Sequence, residues 1–150
     1  MSISSFFIWC ILRTRIINRK LNLVLLVAWV AGMFYGMISP SSSLPKVNWL
    51  TMIPYYDKIV HASMFFGFSF LLFCLLEFEN SLKRIIISTF FLSIGFGLFT
   101  EGLQYLLKNL THRSFEYMDF CADTMGVIVA LVIGYCIARH KEKHFQKQRQ

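Results

Sequence analysis

The stretch "FTEGLQYLLKNLTHRSFEYMDFCADTMGVIVALVIGYCIA", residues 99–138, combines two features that seldom occur together in a protein chain. Most of it is as apolar as a membrane-spanning helix, yet it carries the polar side chains of Glu101, Gln104, Arg113, Glu116, Asp119 and Asp123. A charged group near the centre of a spanning helix costs about 2.5 to 3.5 kcal/mol on insertion scales, and such groups usually face the bundle interior or a wet cavity. The stretch therefore predicts helices that turn these side chains toward one another.

The composition of the whole chain is typical of a membrane protein. Of its 150 residues, 56% are hydrophobic and 17% aromatic, whereas only 15% are charged, against about 25% in soluble domains. A spanning helix needs about 20 predominantly apolar residues, and four segments meet this need: residues 21–39, 59–78, 85–107 and 117–138. The sequence thus predicts an all-α polytopic membrane protein, a four-transmembrane-helix bundle with short loops.

The regions on either side of this predicted domain, which covers residues 21–138, are basic. Residues 1–20 contain an apolar run that is too short to span, followed by "RTRIINRK", and we interpret them as an interfacial lead-in. Residues 139–150, "RHKEKHFQKQRQ", are interpreted as a basic cytoplasmic tail. These regions contribute much of the net charge of +7, and we expect the tail to contact anionic lipid rather than nucleic acid.

The placement of the basic residues predicts the orientation of the chain. Eleven of the fifteen Lys and Arg residues precede the first predicted span, join the second to the third, or follow the fourth. The other four are Lys46, Lys58, Lys108 and Arg113. By the positive-inside rule, both termini are cytoplasmic and the loops around residues 40–56 and 108–116 lie outside.

With this topology, the polar side chains of three helices lie in the outer half of the membrane. They are Asp57 and His61 at the start of the second span, Glu101 and Gln104 near the end of the third, and Asp119 and Asp123 at the start of the fourth. At 1.5 Å per residue, Glu101 and Asp123 each lie about 9 Å inside the predicted helix ends. Three helices therefore carry polar groups at a similar depth.

Helical phase places these groups on narrow faces. One arc of the fourth helix holds Asp119, Ala122, Asp123, Gly126, Ala130 and Gly134, and one arc of the third holds Ser93, Gly97, Thr100, Glu101, Gln104 and Lys108. Small residues at spacing four let two helices approach closely. We therefore expect the polar residues of both helices to face the bundle interior.

Each polar residue also has a structural explanation that the sequence leaves open. Glu101 and Gln104 can join helices by hydrogen bonds, His61 can be a packing histidine, and Arg113 can be an exposed loop charge or a partner of lipid phosphate. Asp57 and Asp119 can each cap a helix N-terminus, whereas Asp123 lies one turn too deep to do so. Considered together on three helices, the residues favour a polar site.

Three motifs, "DKIVH", "EGLQ" and "RSFEYMDFCADTMG", resemble the VanZ-like membrane proteins, a family named for a member linked to teicoplanin resistance. The family pattern D-K-x-x-H, E-x-x-Q and R-x(5)-D-x-x-x-N-x-x-G falls on Asp57, Lys58, His61, Glu101, Gln104, Arg113, Asp119 and Gly126. The resemblance covers about residues 20–138. At the position of the family's asparagine this chain has Asp123, which adds a carboxylate.

The resemblance implies a small bacterial inner-membrane protein of the cell envelope, associated in one branch with tolerance of glycopeptide antibiotics. The candidate polar site comprises Asp57, Lys58, His61, Glu101, Gln104, Arg113, Asp119 and Asp123, and the candidate packing residues are Ala122, Gly126, Ala130 and Gly134. One hypothesis is that the site binds a lipid headgroup or a cell-wall-related ligand, with Lys58 and Arg113 available to hold a phosphate.

An alternative hypothesis is a membrane-embedded enzyme that uses histidine and carboxylates on a lipid or lipid-linked cell-wall intermediate. Histidine together with carboxylates also suits a divalent metal. A transporter is less favoured because the inner halves of the predicted spans lack a polar path. The sequence leaves the ligand, any metal or cofactor, and the oligomeric state open.

Overall fold

The computed structural model describes residues 19–38, 55–77, 81–111 and 116–147, and all regular secondary structure within these ranges is helical. The helices are α1 (Arg19–Ile38), α2 (Tyr56–Leu76), α3 (Leu82–Leu106), the single-turn α4 (Lys108–Thr111) and α5 (Tyr117–Lys147). The prediction of an all-α protein is confirmed.

Among the described residues, three helices are long and apolar enough to cross a membrane, namely α2, α3 and the part of α5 from Tyr117 to Lys141. Large apolar side chains such as Phe91 and Leu106 are exposed on the outside of the bundle, as expected of a surface that contacts lipid. The 20-residue helix α1 begins with Arg19 and Lys20 and is not among these three. A fourth span therefore remains a prediction.

Three helix boundaries differ from those predicted by three residues or more: the starts of α2 and α3 and the end of α5. Helix α2 begins at Tyr56 rather than at residue 59, so Asp57 lies inside the first turn and the N-cap position belongs to Tyr55, at φ 61°. The interpretation of Asp57 as an N-cap is therefore wrong. Helix α5 continues beyond its predicted end at residue 138 to Lys147, so most of the predicted basic tail is helical.

Helices α2 and α5 run parallel and form the most extensive helix pair of the bundle. Lys58 contacts Asp119 near the start of both helices, and Lys141 donates to Glu77 at 3.2 Å near the end of α2. The two helices thus keep one register along the whole of α2.

Small residues of α5 make this close pairing possible. A Cβ atom at Gly126 would collide with the backbone carbonyl oxygen of Ala62, so α2 and α5 can touch here only because residue 126 is glycine. Further along α5, Ala130 is fully buried, and a Cβ at Gly134 would lie 3.0 Å from the ring of Phe73. Ala122, which the sequence placed on the same face, is half-buried.

Helix α3 runs antiparallel to α2 and packs against both α2 and α5. Ser69 donates a hydrogen bond to Ser93 at 2.9 Å across the α2–α3 contact, and the ring of Phe65 lies against Gly97. The buried face of α3 includes Ser93, Gly97, Thr100, Glu101 and Gln104. Lys108, predicted on this face, is exposed instead, because α3 ends at Leu106 and Lys108 begins α4.

Helix α1 packs antiparallel on α2 through two side-chain hydrogen bonds to backbone carbonyls. Asn22 donates to the carbonyl of Leu71 at 3.2 Å, and the Trp29 indole donates to the carbonyl of Met64 at 2.9 Å. An apolar groove of about 400 Å³ lies between α1, α2 and α3 and contains none of the candidate polar residues.

Candidate functional site

The start of α2, the end of α3 and the start of α5 meet at one end of the bundle, which we call the site end. This meeting follows from the parallel pairing of α2 with α5 and the antiparallel course of α3. The candidate residues of the site end that the structure describes are Asp57, Lys58, His61, Glu101, Gln104, Asp119 and Asp123. Arg113 lies outside the described residues.

The deeper part of the site end is a buried triad formed by His61, Glu101 and Asp123. One ligand-type atom from each side chain lies within 4.8 Å of the other two. The exposed fraction is 8% for His61, 0% for Glu101 and 1% for Asp123. His61 Nδ1 lies 3.0 Å from Asp123 Oδ1, within hydrogen-bonding distance.

Most of the carboxylate oxygens of the buried triad lack a hydrogen-bond partner. Both oxygens of Glu101 and Oδ2 of Asp123 are buried, and none makes a hydrogen bond of good geometry among the described residues, although the backbone N–H of Glu116 faces the Glu101 carboxylate. The same holds for Nε2 of Gln104, one helical turn from Glu101. Buried polar groups are nearly always hydrogen-bonded in folded proteins, and four of the six unpaired buried side-chain atoms in the described ranges lie at the site end, the other two being on Asn22 and Thr89.

The shallower part of the site end is the Lys58 cluster, formed by Lys58, Asp57, Glu116 and Asp119. Lys58 Nζ lies 2.8 Å from Asp57 Oδ2 and 2.5 Å from both Glu116 Oε2 and Asp119 Oδ1. The side chains of Asp57 and Glu116 are about half exposed, at 50% and 56%, whereas that of Asp119 is 11% exposed. The cluster therefore lies between the buried triad and the end of the bundle.

This arrangement corrects two sequence-based interpretations. Asp119 is the third residue of α5, and its carboxylate pairs with Lys58, so Asp119 is not the cap of that helix. Lys58 already holds three carboxylates, so it is not available as the free phosphate contact that we predicted.

Sequence reasoning missed Glu116 as a member of the site. Glu116 precedes α5 and is one of the polar residues of the stretch 99–138, but it is not among the residues of the predicted polar site. A signal was present, because Glu116 lies one helical turn before Asp119 and so shares its face. The pairing of Glu77 with Lys141 at the opposite end of the bundle was also missed.

The described part of the site end carries more negative than positive charge. Its carboxylates are Asp57, Glu101, Glu116, Asp119 and Asp123, while its basic side chains are Lys58 and His61. Such a site attracts cations and ammonium groups, and its histidine, held between two carboxylates, can accept or donate a proton.

The VanZ/LLP1 family model matches residues 3–139 of the chain. The chain belongs to the VanZ/LLP1 family. The resemblance based on the three motifs is thereby confirmed. No match was found among curated proteins or solved structures.

The helix register explains the spacing of two motifs in this VanZ/LLP1 protein. In D-K-x-x-H, Lys58 and His61 lie about one turn apart on α2, and on α5 Asp119 and Asp123 are likewise one turn apart. Because the helices run parallel, Lys58 meets Asp119 and His61 meets Asp123, so the two motifs pair turn by turn.

Proposed function

We propose that this VanZ/LLP1 protein binds the polar headgroup of a lipid, or of a lipid-linked cell-wall intermediate, at the outer face of the bacterial inner membrane. Through that binding it influences susceptibility to glycopeptide antibiotics such as teicoplanin. The observation that carries the proposal is the set of unpaired carboxylate oxygens on Glu101 and Asp123, buried at one end of an apolar bundle. A buried carboxylate without a partner is costly, and a bound ligand would supply one.

The depth of the site agrees with a headgroup ligand. Glu101 lies five residues before the end of α3 at Leu106, which corresponds to about 7.5 Å along the helix. The half-exposed Asp57 and Glu116 lie at the entrance. By the positive-inside rule we expect this end to lie outside the cell, where cell-wall intermediates and glycopeptides meet the membrane.

The charge of the site narrows the chemistry of the ligand. A phosphate alone would meet repulsion from the carboxylates, since Lys58 is already surrounded by three of them. A ligand that presents an ammonium group, or that binds together with a cation, would compensate the excess negative charge. Aminated lipid headgroups and the amino groups of peptide stems fit this requirement.

A membrane-embedded enzyme is the second candidate, and the geometry of His61 favours it. The ring contacts Asp123 at 3.0 Å and has Asp119 Oδ2 at 3.9 Å from Nε2, an arrangement that can orient a general base. Turnover of a lipid-linked substrate by purified protein, abolished by His61→Gln, would establish this alternative.

Native mass spectrometry in mild detergent tests the binding proposal. Wild-type protein should retain a headgroup-bearing species that Glu101→Gln loses, because the amide keeps the size of the side chain but not its charge. Glu77→Gln is the matched control, since Glu77 lies near the opposite end of α2 and contacts Lys141. Retention of the same species by all three proteins, or by none, contradicts the proposal.

A further inference from the structure

We infer that His61, Glu101 and Asp123 bind a divalent first-row transition-metal ion, for which Zn²⁺ and Mn²⁺ are suitable probes. The evidence is that these side chains, all of types that ligate metals, bring one such atom each within 4.8 Å of the others, and that Glu101 and Asp123 carry buried oxygens without hydrogen-bond partners in the described ranges. The inference concerns the same site as the proposed function. Only the role of the ion in ligand binding rests on that proposal; the binding of the ion does not.

Charge balance is the first argument. Lys58 partly offsets the charge of the three outer carboxylates. Among the described residues, the only basic side chain beside Glu101 and Asp123 is that of His61, and Glu101 has no side-chain hydrogen bond there. Two buried carboxylates without a cation are costly. One divalent ion would neutralise both while His61 stays uncharged, the form in which imidazole binds metals.

Geometry is the second argument. Three atoms no more than 4.8 Å apart have a common point within about 2.8 Å of each, while zinc bonds to nitrogen and oxygen measure about 2.0 to 2.2 Å. Each ligand atom would thus move inward by less than about 1 Å, within the range of small side-chain rotations. The 3.0 Å between His61 Nδ1 and Asp123 Oδ1 already suits two ligands of one ion.

The ligand types are the third argument. One imidazole and two carboxylates form a mixed nitrogen and oxygen set that suits Zn²⁺, Mn²⁺ and Fe²⁺ better than Ca²⁺ or a soft metal. Three protein ligands leave at least one open coordination position, as in zinc sites that bind substrates. Gln104 is buried one turn from Glu101, on the same face of α3, with an unpaired amide nitrogen. It is a candidate donor to whatever occupies that position.

The Lys58 cluster provides an internal contrast. Asp57, Glu116 and Asp119 also lie close enough together to hold an ion, but Lys58 Nζ contacts all three carboxylates and takes the place of a cation there. In the part of the chain that the structure describes, no lysine contacts the buried triad. The two groups are thus neighbouring carboxylate clusters. In the described ranges, only the deeper one has carboxylate oxygens without a cation beside them, and we assign the metal to it.

With the proposed function, the ion also resolves the conflict between an acidic site and an anionic headgroup. An oxygen of the headgroup can occupy the open position on the metal, and the positive charge of the ion offsets the surrounding carboxylates. The Lys58 cluster then lies above the ion, with its half-exposed members Asp57 and Glu116 at the entrance of the site.

Metal binding by the purified full-length chain tests the inference. The protein is stripped with a chelator in detergent and titrated separately with Zn²⁺ and Mn²⁺, and bound metal is measured by mass spectrometry after gel filtration. The background carries His140→Gln and His144→Gln, so that imidazoles of the basic tail do not contribute. We expect one ion per chain, with affinity at least about 100-fold weaker in Glu101→Gln and His61→Gln, since even outer-shell partners contribute 10- to 100-fold. Glu77→Gln should bind as the parent does.

The melting temperature of each metal-free protein shows that it is folded, so that loss of binding is not loss of structure. A folded parent that binds neither ion, or Glu101→Gln that binds as tightly as the parent, overturns the inference. Absence of binding would mean that the buried carboxylates are neutralised by protons instead. If the metal-free protein retains a headgroup ligand, the proposed function still holds. If the protein binds metal but no headgroup ligand, only the proposed function is contradicted.

Discussion

His61 Nδ1 lies 3.0 Å from Asp123 Oδ1, although 62 residues separate the two in the chain. The contact exists because α2 and α5 run parallel in a fixed register, with Lys58 opposite Asp119 on one side and Ala62 against Gly126 on the other. The polar site and the close helix packing are therefore parts of one interface, and a change in either should affect the other.

Replacing Gly126 with alanine should destabilise the bundle. The added Cβ would collide with the carbonyl oxygen of Ala62, which belongs to the backbone and cannot move aside by rotation. We expect a loss of about 1 to 3 kcal/mol, the usual cost of overpacking, seen as a lower melting temperature in detergent. Gly102→Ala is the matched control, since a Cβ there meets no atom within 4 Å.

Gly102→Ala should leave stability unchanged or raise it by up to about 1 kcal/mol, because alanine favours a helix interior more than glycine does. If Gly126→Ala melts at the same temperature as Gly102→Ala, the close approach of α2 and α5 is not as described.

Replacing Lys58 with methionine should also lower stability. The change leaves Asp57, Glu116 and Asp119 without their shared cation, and of these Asp119 is largely buried. We expect a loss of about 1 to 3 kcal/mol, below the roughly 3 to 5 kcal/mol typical of a fully buried pair, because the other two carboxylates reach solvent. The double variant Lys58→Met, Asp119→Asn should lose less than the two single changes added together.

Lys83→Met serves as the control for Lys58→Met, because Lys83 is an exposed residue in the first turn of α3, away from the site end. Equal melting temperatures for the two lysine variants would show that the Lys58 cluster contributes nothing to folding.

The Glu101→Gln change should have opposite effects on stability with and without metal. In metal-free protein we expect the melting temperature to stay the same or rise, because a buried neutral amide is less costly than a buried unpaired carboxylate. With saturating Zn²⁺ the wild type should be stabilised, since a ligand that binds only the folded state raises its stability, and the variant should not. Equal stabilisation of both proteins by Zn²⁺ argues against Glu101 as a ligand.

Much of this architecture could be predicted from the sequence because the signals are local and periodic. The length of the apolar segments predicts the helices. The 3.6-residue repeat predicts that Glu101 and Asp123 lie on buried faces, and both are buried in the structure. The boundaries were less accurate. Apolar content alone predicts that α2 begins at residue 59. The helix in fact begins at Tyr56 and includes Asp57 and Lys58, whose charges keep them out of a predicted apolar segment.

The pairing of individual side chains could not be predicted from the sequence. That Lys58 meets Asp119 while His61 meets Asp123 depends on the parallel register of α2 and α5, and this register is set by the contact of Gly126 with Ala62. The spacing of Glu116 and Asp119 indicates a shared face, but the contact of Glu116 with Lys58 depends on the same register of α2 and α5.

The orientation of the bundle in the membrane is open to direct test. Reporter fusions at residues 48 and 110 should both read outside, because the basic residues concentrate on the other side of the predicted spans. A further reporter at the N-terminus tests the fourth span, since α1 must cross the membrane if the fusion at residue 48 is outside and the N-terminus is cytoplasmic. A cytoplasmic signal from the fusion at residue 48 or at residue 110 would remove the shared outer site.

The most direct test of the central claim, that the site end is a binding site and not only a scaffold, is teicoplanin susceptibility in cells that express single variants at matched levels in place of the native protein. The account predicts that Glu101→Gln behaves like the deletion, whereas Glu77→Gln and Gly102→Ala behave like wild type. Wild-type susceptibility in cells carrying folded Glu101→Gln, alongside a clear effect of the deletion, would contradict it and return the cluster to a structural role.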